Sequence, residues 1–252
     1  MDFEGFNNEL WDEHKWEAHL DEVEKKSDQL RRFISSDPKG STPRWITLLQ
    51  ESLSEDDAFE AYVEEELLLD EAYFPEEDDD WADEDDYEDD DFLFGEFEDL
   101  EDEVDDFDAG EEWKTLSEDF ADSDYGALEN LLIFNRAKEL AVDVLRWSEN
   151  VPTKYHNKSF QEFVGESLKI GAKLAGGYSF GYDVEYLGAN IAYTKKALKC
   201  SNLALALLQA QKDEPYFSQQ DYSSYHAVLF ELRNDIGVYV QELRDRFYNR
   251  FD

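Results

Sequence analysis

DVEYLGANIAYTKKALKCSNLALALLQA, Asp183 to Ala210, is the stretch that decides the fold class. In it Val184, Leu187, Ile191, Thr194, Leu198, Ser201, Leu205 and Leu208 follow one another at alternating steps of three and four. That spacing is the seam of helices packed nearly antiparallel, crossing at about 20°. The rhythm returns in Tyr225, Leu229, Leu232, Ile236, Tyr239, Leu243 and Phe247. Upstream, Leu128, Leu131, Leu132, Leu140, Ala141, Val144 and Leu145 define a helical face that ends before Asn150–Pro152. Phe160, Phe163, Val164, Ser167, Ile170 and Leu174 define another, with Gly176–Gly177 read as its C-cap and turn. Four such segments with short connections predict an antiparallel four-helix bundle over residues 127–252 of an all-α chain.

The bundle is preceded by two regions of different character, together expected to be acidic and partly disordered. The first, residues 1–74, is an N-terminal helical region. Phe6, Leu10, Leu20, Val23, Leu30 and Phe33 or Ile34 recur near helical multiples, and Ser35–Pro43 carries the proline and glycine of a connector. A short helix is expected in RWITLLQESL, Arg44 to Leu53. Ser54, with Asp57 three residues on, opens a further helix to about Ala72, and Pro75 stops it. Tryptophans 11, 16 and 45 call for buried surface, within this chain or against a partner.

The second, residues 75–126, is a low-complexity acidic arm. From Glu76 to Asp108, 22 of 33 residues are acidic, and no lysine or arginine occurs between Phe74 and Phe107. Repulsion among neighbouring carboxylates opposes compaction, so the arm is expected to be mostly disordered alone. The chain's net charge is −42. Residues 1–72 contribute −14, residues 73–126 contribute −27, and residues 127–252 only −1. Such a regional field attracts basic surfaces and repels nucleic acid and anionic membranes, which excludes direct DNA binding by the acidic half.

Rings set among the acids give the arm more than charge. Its candidate partner-binding residues are Asp78, Asp79, Asp80, Trp81, Asp85, Asp86, Tyr87, Asp89, Asp90, Asp91, Phe92, Phe94 and Phe97. Acids speed encounter with a basic partner, and rings supply desolvated anchors. On the bundle, Lys195, Lys196, Lys199, Arg244, Arg246 and Arg250 are a candidate basic face. They are read either as an ordinary solvated surface or as a face onto which the arm folds back until a partner displaces it.

Catalytic patterns are scarce. His14 and Glu17 stand three apart as a candidate metal pair or an exposed helix face, and neither Glu-x-x-His nor His-Glu-x-x-His occurs. GGYSFGY, Gly176 to Tyr182, lacks the following Gly-Lys-Ser/Thr of a phosphate loop. Cys200 sits on the third bundle helix with no histidine near in sequence, the setting of a small buried hydrophobe. No metal site, cofactor or enzymatic activity is predicted. An acidic start without a basic, apolar leader, no long apolar run and a single cysteine predict a cytoplasmic protein with no membrane segment.

Two stretches carry a resemblance. NLLIFNRAKELAVDVLRW, Asn130 to Trp147, resembles the opening helix of the small bacterial four-helix-bundle proteins associated with rRNA intervening sequences. KIGAKLAGGYSFGYDVEYLGANIAYTKKALKCSNLAL, Lys169 to Leu205, resembles that family's second-to-third helix passage. The accessory variability proteins of diversity-generating retroelements, which partner a reverse transcriptase, are similar to the same family. The resemblance implies bundle architecture and self-association. Together these features predict a non-enzymatic adaptor that forms a homo-oligomer through its bundle. Its arm would bind and modulate a basic nucleic-acid-processing protein. A nucleic-acid mimic that inhibits such an enzyme and an RNA-binding bundle are the alternatives.

Overall fold

The computed structural model describes residues 11–34, 42–71 and 128–249. Among these residues the chain is all-helical, with 84% in helix and no strand. Seven α-helices follow in order: α1 (Glu13–Ile34), α2 (Arg44–Glu51), α3 (Glu55–Glu71), α4 (Leu132–Asn150), α5 (Lys158–Ser179), α6 (Leu187–Ala210) and α7 (Gln219–Tyr248). Each of α4 to α7 packs on the next, and α4 closes on α7. Cross-helix contacts fix antiparallel neighbours. Gln211 just past α6 donates to the Ser159 carbonyl of α5 at 3.0 Å, whereas Gly177 at the other end of α5 lies against Asn190 and Thr194. On α7, Tyr222 donates to Gln209 and Arg233 to Asn202.

The seam residues within α5, α6 and α7 are buried or half-buried, whereas Val184, expected to open the α6 seam, precedes the helix and is 41% exposed. Phe160, Phe163, Val164, Leu168, Ile170 and Leu174 of α5 face Ala197, Ala204 and Leu208 of α6 and Leu229, Leu232 and Ile236 of α7 in one core. At one end of the four helices Trp147 stacks on Phe217 with ring centroids 4.5 Å apart. Phe163 and Tyr225 meet the same indole edge-on. Caps start the helices where the sequence offers side-chain acceptors. The Asn157 carboxamide accepts from Phe160 N–H at 2.9 Å, and the Ser218 hydroxyl from Asp221 N–H at 3.0 Å. Ser54 does the same for Asp57 at the start of α3.

Two further sequence expectations need correction. Gly176 and Gly177 do not end α5, which continues to Ser179. They lie inside it because α6 approaches too closely for a side chain. A Cβ at Gly176 would stand 2.9 Å from the Tyr193 ring, and one at Gly177 3.1 Å from the Asn190 carboxamide. The turn falls instead at Gly181, whose φ of 69° suits glycine, and Asn190 ties it down by donating to the Gly181 carbonyl at 2.8 Å. Leu132 is the second case, since it is 70% exposed. Residues 128–130 form a 3₁₀ turn, so the helical phase begins afresh at Leu132.

Helices α1 to α3 form a second layer on the first. Helix α3 lies over α5 and α4, and α1 lies over α6. Phe59 of α3 is fully buried against Gly171, where a Cβ would come within 2.5 Å of its ring. Trp16, Leu20, Val23 and Ser27 of α1 are buried at steps of four, three and four, a seam of their own. Trp16 and Trp45 are thus buried within the chain, while Trp11 stays partly exposed.

Candidate functional site

The charged layer between α1 and the helices beneath it is the most organised polar region among the described residues. Beside its apolar seam, α1 carries Glu13, Glu17, Asp21 and Glu24 at steps of four, four and three, one face of the helix. Opposite them stand cations from three different helices. Arg244 of α7 donates to Glu13 at 3.0 Å. Lys195 of α6 meets Glu17 at 2.7 Å and Glu13 at 3.6 Å. Lys196 meets Asp21 at 2.8 Å and Glu24 at 2.9 Å. Lys173 of α5 lies 3.7 Å from Glu24 and 3.5 Å from Glu66 of α3.

Burial makes these pairs more than surface decoration. The Lys173 side chain is 4% exposed and Glu66 is buried beside it. The Lys196 hydrogen bond holds the Asp21 carboxyl below its usual range. Two further cations face α3: Lys138 is held by Glu60 and Asp56 at 2.7 and 3.3 Å, and Arg146 lies 3.4 Å from Glu55. Six basic side chains of α4 to α7 are therefore met by acids from α1 and α3.

This arrangement revises the basic face expected from sequence. Lys195, Lys196 and Arg244 do not form an open face, because carboxylates of α1 pair with them and partly cover them. Lys199 stays exposed one turn on. Arg246 lies over the Tyr182 ring at 4.9 Å. Arg250 lies outside the described residues, as do the arm residues Asp78 to Phe97. The acid ladder of α1 was missed from sequence although its signal is present. Trp16 joins Leu20 and Val23 in one seam, and the ladder runs beside it at the same period.

Two hollows adjoin this layer. One, of about 260 Å³, is lined by Glu66, Glu166, Lys169, Lys173, Lys196 and Cys200 among others. Its thiol is no nucleophile at neutral pH, since burial pushes Cys200 up to about 12. The other, of about 610 Å³, lies between α3 and α4 over Phe59, Val63 and Phe134. His14 is exposed and its ring faces Glu17 at 3.4 Å, on a carboxylate that also binds Lys195. Among the described residues no group of three or more metal-type ligands gathers, and no helix is long and apolar enough to cross a membrane. Comparison with family models, with curated proteins and with solved structures finds no match.

Proposed function

We propose that this chain is a non-enzymatic, cytoplasmic adaptor. In this reading α4 to α7 are a four-helix bundle that self-associates, as in the rRNA intervening-sequence proteins it resembles. The acidic arm, residues 75–126, binds and modulates a basic nucleic-acid-processing protein. One observation carries the reading: the bundle's cations toward the N-terminal layer are already neutralised by α1 and α3. Six basic side chains are matched inside the fold, while the arm alone holds 28 acids against one lysine. Its charge is left for a basic surface on another molecule, and its rings give that contact specificity.

The covered basic face also weighs against the bundle as an RNA-binding surface, because a phosphate backbone would have to displace carboxylates seated at hydrogen-bond distance. The test uses the full chain. Immobilised protein is compared with a variant in which Trp81, Phe92, Phe94 and Phe97 are alanine, each exposed to host extract and eluted with salt. The adaptor reading expects basic nucleic-acid enzymes in the first eluate, strongly reduced in the second. Equal capture by both proteins would defeat it. A captured enzyme that has lost its nucleic acid and activity would favour mimicry instead.

A further inference from the structure

We propose that the groove between α3 and α4 is the seat of a basic, amphipathic helix of a protein partner. The groove encloses about 610 Å³. Glu55 of α3 pairs with Arg146 of α4, and Glu60 pairs with Lys138, so the two helices run antiparallel. Phe59, Val63 and Phe134 floor the gap between them, with the half-buried Leu128 and Val142 on the α4 side.

Two features set this groove apart from an ordinary crease between helices. The first is its charge. Asp56, Glu60, Glu129, Glu139 and Asp143 line it, and all five are exposed. The two cations of the lining are already engaged, Lys138 by Asp56 and Glu60, and Arg146 by Asp143 and Glu55. Five acids against two cations leave the lining three charges negative. The second feature is Leu132. It falls on one line of α4 with Asn135, Glu139, Val142 and Arg146, at steps of three, four, three and four. Those four residues line the groove, and Leu132 beside them is 70% exposed. The restarted helical phase that takes Leu132 out of the bundle's core therefore brings it to the groove side.

The occupant follows from charge and from the path of the chain. A second copy brings a net −42, and residues 73–126 bring 28 acids against one lysine, so both carry the sign the lining already has. A basic partner meets complementary charge there. From Leu132 to Arg146 the line is about 21 Å long, room for about four turns of helix, and apolar side chains at i, i+3 and i+7 of such a helix match Leu132, Val142 and the floor. Because α3 is antiparallel to α4, it leads from Val63 toward the Leu128 end of the groove. The chain leaves α3 at Glu71 and returns at Leu128, which tethers the arm's acids beside the groove. The arm thus concentrates a basic partner where the groove can select its apolar face. This inference rests on the basic client of the proposed function and adds the place on the helices where that client sits.

The test titrates the full chain into a labelled helical peptide of leucine and lysine, its leucines at i, i+3, i+4 and i+7, and follows fluorescence anisotropy at physiological ionic strength. A peptide of the same charge with alanine for leucine is the comparison. The leucine peptide should bind about tenfold more tightly than the alanine one. Leu132→Ser together with Glu139→Lys should abolish that preference, whereas alanine at Trp81, Phe92, Phe94 and Phe97 should leave it in place. Leu132 and Glu139 are exposed, so circular dichroism and the thermal midpoint should not move. A preference that survives the groove changes, or that the ring changes alone remove, overturns the groove and leaves the arm's reading standing. Equal binding of the two peptides does the same. Wild-type protein that holds neither peptide overturns both. If Leu132→Ser instead lowers a sedimentation mass greater than that of one chain, a second copy covers the groove and the basic helix is overturned.

Discussion

Helix α6 shows two kinds of adhesion on one rod. Toward α5 and α7 it is joined by close packing, with Gly177 against Asn190 and Thr194 and leucines filling the seam. Toward α1 it is joined by a short apolar seam flanked by Lys195 and Lys196 on four carboxylates. Close packing is local in reach, insensitive to salt and costly to disturb. Charge pairing at a half-exposed edge is screened by salt and contributes about 0–1 kcal/mol per pair. The contrast makes α1 the part of the molecule whose attachment solution conditions can vary while the helices beneath it stay assembled.

The largest effects should come from groups that neither side can rehydrate. Phe163→Ala empties a fully buried site beside Trp147 and Phe217 and should cost about 3–5 kcal/mol, read as a lowered midpoint in urea. Lys173→Met should cost a similar amount, about 3–5 kcal/mol, because the buried Glu66 would lose the cation that lies 3.5 Å from it. Replacing Glu66 by leucine in the same chain should recover most of that loss. If Lys173→Met alone is neutral, the Lys173 contact belongs with the exposed pairs and the contrast between packing and charge fails at its centre.

Gly177→Val sharpens the packed side. Its Cβ would press on Asn190 and Thr194 at 3.1–3.2 Å, and overpacking of this kind costs about 1–3 kcal/mol. Gly237→Ala is the control, since a Cβ there meets open space; it should raise the thermal midpoint of the monomer. Stabilisation by both would mean that helix propensity, and not close approach, governs both glycines. On the charged side, Lys196→Met should cost no more than about 1 kcal/mol, because Asp21 and Glu24 can turn to water. It should raise hydrogen exchange in α1 without shifting the main unfolding transition.

Much of this division was legible in the residues, and the exceptions have physical causes. The seams of α5, α6 and α7 read directly because an apolar stripe flanked by polar residues has one interpretation. The central part of α6 did not read fully. Ala189, Ala192 and Tyr193 lie off its seam yet are buried, because α1 covers a third face that a two-sided pattern does not announce. The glycines of α5 misled because a helix end and a close helix contact call for the same residue. Lys195 and Lys196 were seen as a pair of cations, but their partners lie more than 170 residues away, and sequence spacing carries no such information. The arm's residues were legible as chemistry and lie outside the described residues.

The smallest effect, and the one that separates the two sides most cleanly, is that of acid on α1. His19 packs edge-on to Trp11 and Trp16, and burial lowers its pKa from the usual 6.5. Asp21 is lowered from 3.8 by its hydrogen bond to Lys196. For both groups the folded value lies below the unfolded one, so the docked helix binds protons less readily than the free one. Stability from each is complete above the unfolded value and is lost as pH falls through the folded one. Docking of α1 should therefore weaken in two steps, the first beginning below about pH 6.5 and the second below about pH 3.8. Protection of α1 amides, measured against those of α6 in the same sample, should fall accordingly. His19→Gln should remove the first step and Asp21→Asn the second. A constant ratio of α1 to α6 protection from neutral pH to well below pH 3.8 would show that α1 is held by its apolar seam alone, and its carboxylate ladder would then set orientation without setting strength.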